Sequence, residues 1–165
     1  MKLPLYIVLF LFGLAIAQSI YFYPLLPDIV GSHFDAAGKV NGTSSKFIYF
    51  ILYFVTLAIT SSFALGLPLI LQHLPTSLIN LPYREYWLSS DRLEETLSFF
   101  KIHFSWFGVG TTLLIIAIFH LTFLANLSSN KGFNISIPFW TLLGTYAVFT
   151  IWWTVVLIKR FPKPS

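Results

Sequence analysis

The sequence predicts an all-α integral membrane protein, a four-helix transmembrane bundle with a polar extracytoplasmic cap loop and an amphipathic cytoplasmic loop. Three observations predict it. Of 165 residues, 56% are hydrophobic and only 10% charged, where a soluble domain carries about a quarter charged. Aromatic side chains suited to lipid and to the headgroup interface are abundant: 18 Phe, 8 Tyr and 5 Trp. Four apolar runs, at about 3–23, 47–71, 97–124 and 138–158, each reach the roughly 20 residues of helix that cross a hydrocarbon core. They form a single membrane domain over residues 1–165, joined by an outer loop 24–46, an inner loop 72–96 and an outer loop 125–137.

Each run has its punctuation. The first begins after Lys2 and stops at Pro24 and Pro27, which cannot continue a helix. Its opening also has a signal-peptide pattern, with Ala15 and Ala17 spaced like a cleavage site, but the apolar run continues through Ile20, Tyr21 and Phe22 and favours a span. Gly66 and Pro68 predict a kink or an end in the second run. Asp91 and Glu94 have capping-box spacing, so the third helix is expected to start in water with an amphipathic lead-in of Leu93, Leu97 and Phe100. Pro138 suits the first turn of the fourth helix, where its missing N–H leaves no bond unmade.

The basic residues set an orientation. Lys2, Arg84, Arg92, Lys101, Lys159, Arg160 and Lys163, seven in all, lie on one side, against three, Lys39, Lys46 and Lys131, on the other. The positive-inside rule then places both termini and the 72–96 loop in the cytoplasm of a multi-pass cell-membrane protein. Trp152 and Trp153 suit the inner interface. The net charge of +4 is spread over the ends of apolar runs and forms no stripe, which argues against nucleic acid. With no cysteine, thiolate chemistry and disulfides are excluded.

Candidate functional residues fall in the two polar loops. In "YPLLPDIVGSHFDAAGKVNGTSSK", residues 23–46, the partner- or ligand-binding candidates are Asp28, His33, Asp35, Gly38, Asn41 and Lys46. Gly38 and Gly42 permit the positive φ that chain reversals need, and Asp35 and Asn41 favour turns, so a folded cap is the plain expectation. His33, Asp35 and, from the third span, His120 are the remaining metal or acid/base candidates; two ligands fall short of the three a catalytic zinc site needs, and no cofactor is expected. In "INLPYREYWLSSDRLEETLSFF", residues 79–100, Tyr83, Arg84, Tyr86, Trp87 and Arg92 suggest an aromatic-pinned interfacial helix or a docking face for a cytoplasmic partner; Arg84, Arg92 and Lys101 can meet anionic headgroups. Small and hydroxyl residues at Thr60, Ser61, Ser62 and Ala64, and at Gly108, Gly110, Thr111 and Thr112, are expected to let helices approach closely. The Asn-x-Ser/Thr triplets at Asn41, Asn126 and Asn134 carry no further expectation. No span has Asp, Glu or Arg at its middle, which argues against a proton relay or ion-coupled transport. Phosphate-loop, nucleophile-elbow and HExxH patterns are missing too, so no enzyme activity is expected.

In their order, Pro24, Pro27, His33, Phe34, Asp35, Gly38, Gly42 and Lys46 resemble the signature of a prokaryotic membrane domain of unknown function found at the N-terminus of SdpI-type immunity proteins. Asn80, Pro82, Tyr86, Trp87 and Arg92 resemble that domain's second loop. The likeness is to a short, stand-alone member without the longer C-terminal half. It implies a non-catalytic membrane protein that binds an extracytoplasmic peptide or protein partner, immunity- or signalling-like. The rival expectations are an accessory subunit of a larger membrane complex and, third, a His/Asp membrane metalloprotein.

Overall fold

The computed structural model describes residues 2–71, 73–128 and 134–164, with the side chains of residues 63, 64, 67 and 68 left aside. Lys131, counted above among the outward cations, and the centre of the 125–137 loop lie outside the described residues, as do the side chains of Ala64 and Pro68.

Four long helices carry the fold: α1 (Lys2–Phe22), α2 (Lys46–Leu71), α4 (Leu93–Leu127) and α5 (Ser136–Arg160). A β-hairpin of β1 (Ile29–Phe34) and β2 (Val40–Ser45) joins α1 to α2, and a 3-10 turn (Thr76–Leu78) and the one-turn α3 (Arg84–Trp87) join α2 to α4. Three helices, α1, α4 and α5, are long and apolar enough to cross a membrane, and α2 is apolar over Lys46–Ser62.

Four sequence expectations are corrected. The chain is not all-α, because the outer loop closes into an antiparallel two-stranded sheet. The interfacial helix expected in the inner loop is limited, among the described residues, to the single α-turn Arg84–Trp87 beside a 3-10 turn. The capping box does not form either. α4 begins after Arg92 with no side-chain cap, and the Asp91 carboxylate instead accepts from Ser90 Oγ at 3.1 Å. Gly66 and Pro68 do not end α2, which runs on to Leu71.

The core lies between α1, α2 and α4. Val8, Leu11 and Ala15 of α1 meet Tyr49, Tyr53 and Leu57 of α2 and Val109, Ile116 and Phe123 of α4. Aromatic rings fill its end next to the hairpin: Phe123 stacks on Phe22 and Phe50 with centroids 5.0 and 5.2 Å apart, and Tyr53 stacks on Phe119 at 4.4 Å. Because lipid is as apolar as these side chains, close packing and polar contacts between helices hold such a core more than the hydrophobic effect does. The small-residue expectation fits here. Ser61 and Thr112 meet across α2 and α4 at 3.5 Å, both buried. At Gly110 a Cβ would lie 2.8 Å from the Phe149 ring, so the glycine sets how near α5 approaches. Thr111 and Tyr146 share a hydrogen bond of 2.7 Å at the same crossing. α5 packs along α4, and none of its described side chains is buried.

Candidate functional site

The hairpin is built by its own polar residues. Asp35 organises the reversal: its Oδ1 accepts from the Ala37 and Lys39 amides, both at 2.9 Å, and its N–H donates to the Lys39 carbonyl at 2.8 Å. Gly38 completes the turn at φ +81°, a conformation that disfavours a side chain. Across the strands His33 Nδ1 bonds Asn41 Oδ1, where the register shifts on either side of His33. At the base, Lys46 forms an ion pair with Asp28 at 3.1 Å, donates to the Leu26 carbonyl at 3.4 Å and lies 5.1 Å from the Tyr23 ring centre. All six outer-loop candidates are therefore engaged in the hairpin's own structure.

Two attachments fix the hairpin to the helices. The Asn126 side chain of α4 treats β1 as a strand partner: Oδ1 accepts from Gly31 N–H at 2.6 Å, and Nδ2 donates to the Gly31 carbonyl at 3.0 Å and to Thr122 O at 2.9 Å. At the tip, Ser136 Oγ and Trp140 Nε1 of α5 both donate to the Ala36 carbonyl, at 3.0 and 3.2 Å. Just before α5, Asn134 Oδ1 accepts from Ser136 N–H at 2.8 Å.

Below the hairpin a polar seam runs inward through the core. Tyr49 OH bonds Thr122 Oγ1, Tyr53 OH donates to Gln18 Oε1 at 2.9 Å, and Gln18 Nε2 lies 3.2 Å from His120 Nδ1. The seam ties α1, α2 and α4 together where hydrocarbon offers no other partners. Sequence reasoning singled out His120 but missed Gln18, Tyr49, Tyr53 and Asn126. A signal was present for Gln18, a side-chain amide in an otherwise apolar run. Tyr53→Phe is expected to remove about 1 kcal/mol of stability by leaving Gln18 Oε1 short of a donor. Thermal unfolding in detergent checks this.

The metal candidates do not converge. His33 pairs with Asn41, Asp35 is satisfied by backbone amides and His120 by Gln18; among the described residues no three His, Cys, Asp or Glu side chains are placed to hold an ion. A small cavity of about 220 Å³ remains under the hairpin tip, between Ser32, His33, Asp35, Thr122, Ser136 and Phe139.

In the 72–96 loop the predicted residues sit close together. Arg92 covers the Tyr86 ring at 4.0 Å, Trp87 Nε1 donates to the Pro162 carbonyl at 3.3 Å, and Thr96 Oγ1 donates to Trp87 O at 2.8 Å. Arg84 donates to Ser77 O at 3.2 Å, and Tyr83 stands in the left-handed region at φ 53°. Arg160 pairs with Glu95 and borders the Trp87, Phe99 and Phe161 rings. This loop is fastened to the beginning of α4 and to the chain beyond α5.

Comparison with curated proteins and with solved structures gives no match. A family described as a domain of unknown function, DUF1648, matches residues 10–57. That stretch takes in the second half of α1, the whole hairpin and the first half of α2. The chain is thus similar to this family over the hairpin and the two helix segments that frame it.

Proposed function

We propose that the chain is a four-span membrane protein with both termini in the cytoplasm, and that it binds an extracytoplasmic peptide or protein partner along the open edge of its hairpin, without catalysis. One observation carries the reading. Asn126 takes both backbone groups of Gly31 on the side away from β2, so Gly31 and its cross-strand neighbour Thr43 form a non-hydrogen-bonded pair. Thr43 must then turn its own N–H and C=O to the far side of the sheet. There Thr43 is exposed, beside exposed Asn41 and Val40. A strand edge presented on a docked platform is the surface that adds an extended segment by main-chain pairing. The similarity over residues 10–57 supports the hairpin as the feature these sequences have in common, and an immunity- or signalling-like role follows from such capture.

The absence of cysteine makes the test clean. Thr43→Cys in intact cells is expected to react with a membrane-impermeant maleimide, and a photoreactive maleimide there to yield one discrete polypeptide adduct. Labelling only after the membrane is opened would overturn the topology. Labelling without any adduct would overturn the binding.

A second reading, an accessory subunit of a larger membrane complex, is favoured by α5, which packs on α4 with one side and has no buried residue. Stoichiometric co-purification with other membrane subunits in mild detergent is its expected signature.

A further inference from the structure

Beneath the 72–96 loop two cavities lie side by side. One is apolar, about 350 Å³, between the end of α2, the beginning of α4 and the end of α5, with Leu71, Ile79, Phe100, Phe104 and Leu157 among its walls. The other is an open groove of about 640 Å³ whose polar walls include Ser77, Tyr83, Arg84, Glu85 and Tyr86. Leu78, Ile79, Asn80 and Leu81 border both, so a dry cavity and a wet groove adjoin along one stretch of chain.

The wet end has a particular charge pattern. Arg160 is taken by Glu95, and Arg92 lies over Tyr86. Arg84 and Glu85, neighbours in sequence and both exposed, enter no ion pair among the described residues. They offer one cation and one carboxylate at the same groove. Tyr83, at the same mouth, holds a left-handed backbone that a non-glycine residue adopts only when its surroundings enforce it. The dry end, lined almost wholly by apolar side chains, is unsuited to water. It opens beside Ile158, which is 67% exposed on the outside of α5.

We infer that these two adjoining cavities act as one channel and bind one membrane phospholipid with a phosphoethanolamine head. An acyl chain fills the apolar end, the phosphate accepts from the Arg84 guanidinium, and the primary ammonium donates to the Glu85 carboxylate. A phosphoglycerol head satisfies Arg84 equally but leaves Glu85 facing an anion. The site is separate from the hairpin and holds whichever partner the hairpin takes.

The test uses the full chain in nanodiscs of equimolar phosphatidylethanolamine and phosphatidylglycerol, released into native mass spectrometry. One retained phosphatidylethanolamine is expected, preferred over phosphatidylglycerol by about threefold, the strength of a solvent-exposed charge pair. Glu85→Gln should erase the preference while lipid is still retained, Arg84→Gln should lower retention of both lipids, and Leu81→Trp should empty the channel. Glu85 is exposed and makes no ion pair, so its variant keeps the test valid should Leu81→Trp fail to fold. Equal retention of the two lipids by the parent chain, no retained lipid, or an unchanged preference in Glu85→Gln overturns the proposal.

Discussion

Asn126→Leu is expected to detach the hairpin from α4 at a cost of about 2–4 kcal/mol, the loss of three hydrogen bonds of roughly 1 kcal/mol each plus the desolvation of groups left unpaired. The substitution keeps much of the side chain's bulk but removes every polar contact it makes: to Gly31 N–H, to the Gly31 carbonyl and to Thr122 O. Gly31 is buried, so its two backbone groups are left facing a hydrocarbon side chain instead of water. Hydrogen exchange over β1 is the direct measurement, with protection at Gly31 falling by roughly a hundredfold. Asn126→Asp keeps an acceptor for the Gly31 N–H and loses the donor, so it should fall between the parent and the leucine variant. Unchanged exchange in Asn126→Leu would mean that the hairpin stands on its own turn and needs no anchor.

The second large effect is expected at the tip. Gly38→Val combines two penalties that act at one place. The φ of +81° opposes any L side chain, by about 1–2 kcal/mol and by more for a β-branched one. A Cβ there would also lie 2.6 Å from Asn134 Oδ1 and 3.0 Å from Ser136 N, two atoms hydrogen-bonded to each other just before α5. The hairpin tip and the first turn of α5 must move apart, and the Ser136 and Trp140 bonds to Ala36 go with them. A combined loss of about 3–5 kcal/mol is expected, read as a lower unfolding temperature and as faster exchange at the Ser136 amide. Gly38→Asn separates the two causes, since asparagine tolerates the left-handed region but still carries the Cβ. If it behaves like the parent, the close approach to Asn134 is not what requires glycine.

The helices were legible because their evidence is local. Apolar runs, Pro24 and Pro27 after α1, and Pro138 in the first turn of α5 place the ends within a few residues of α1, α2 and α5 as they stand. The hairpin was not, since β2, VNGTSS, has only Val40 and Thr43 of the branched and aromatic residues that mark strands, and β1, IVGSHF, is interrupted by Gly31 and Ser32. Its strands hold through Asp35 at the turn and through Asn126, whose partner Gly31 is 95 positions away. Periodicity carries no trace of such a contact. The polar seam hides in the same way: Gln18 meets His120 across 102 positions and Tyr53 across 35. Asp91 and Glu94 mislead in the opposite direction, having the spacing of a cap while α4 starts without one. The turns that precede α4 already position its first residues, with Leu93 N–H donating to Ser89 O at 2.9 Å and Thr96 N–H to Arg92 O at 3.0 Å.

The length of α4 has a mechanical consequence. Its 35 residues extend about 52 Å at 1.5 Å per residue, some 20 Å more than the hydrocarbon thickness of a typical bilayer. At its hairpin end the helix is anchored by Asn126, so the surplus lies at the other end, among Thr96, Phe99, Phe100 and His103, where the inner loop and the chain beyond α5 are packed. A thicker membrane draws those turns toward lipid and a thinner one returns them to water. Where α4 crosses a bilayer, hydrophobic mismatch would therefore act on the 72–96 loop and spare the hairpin.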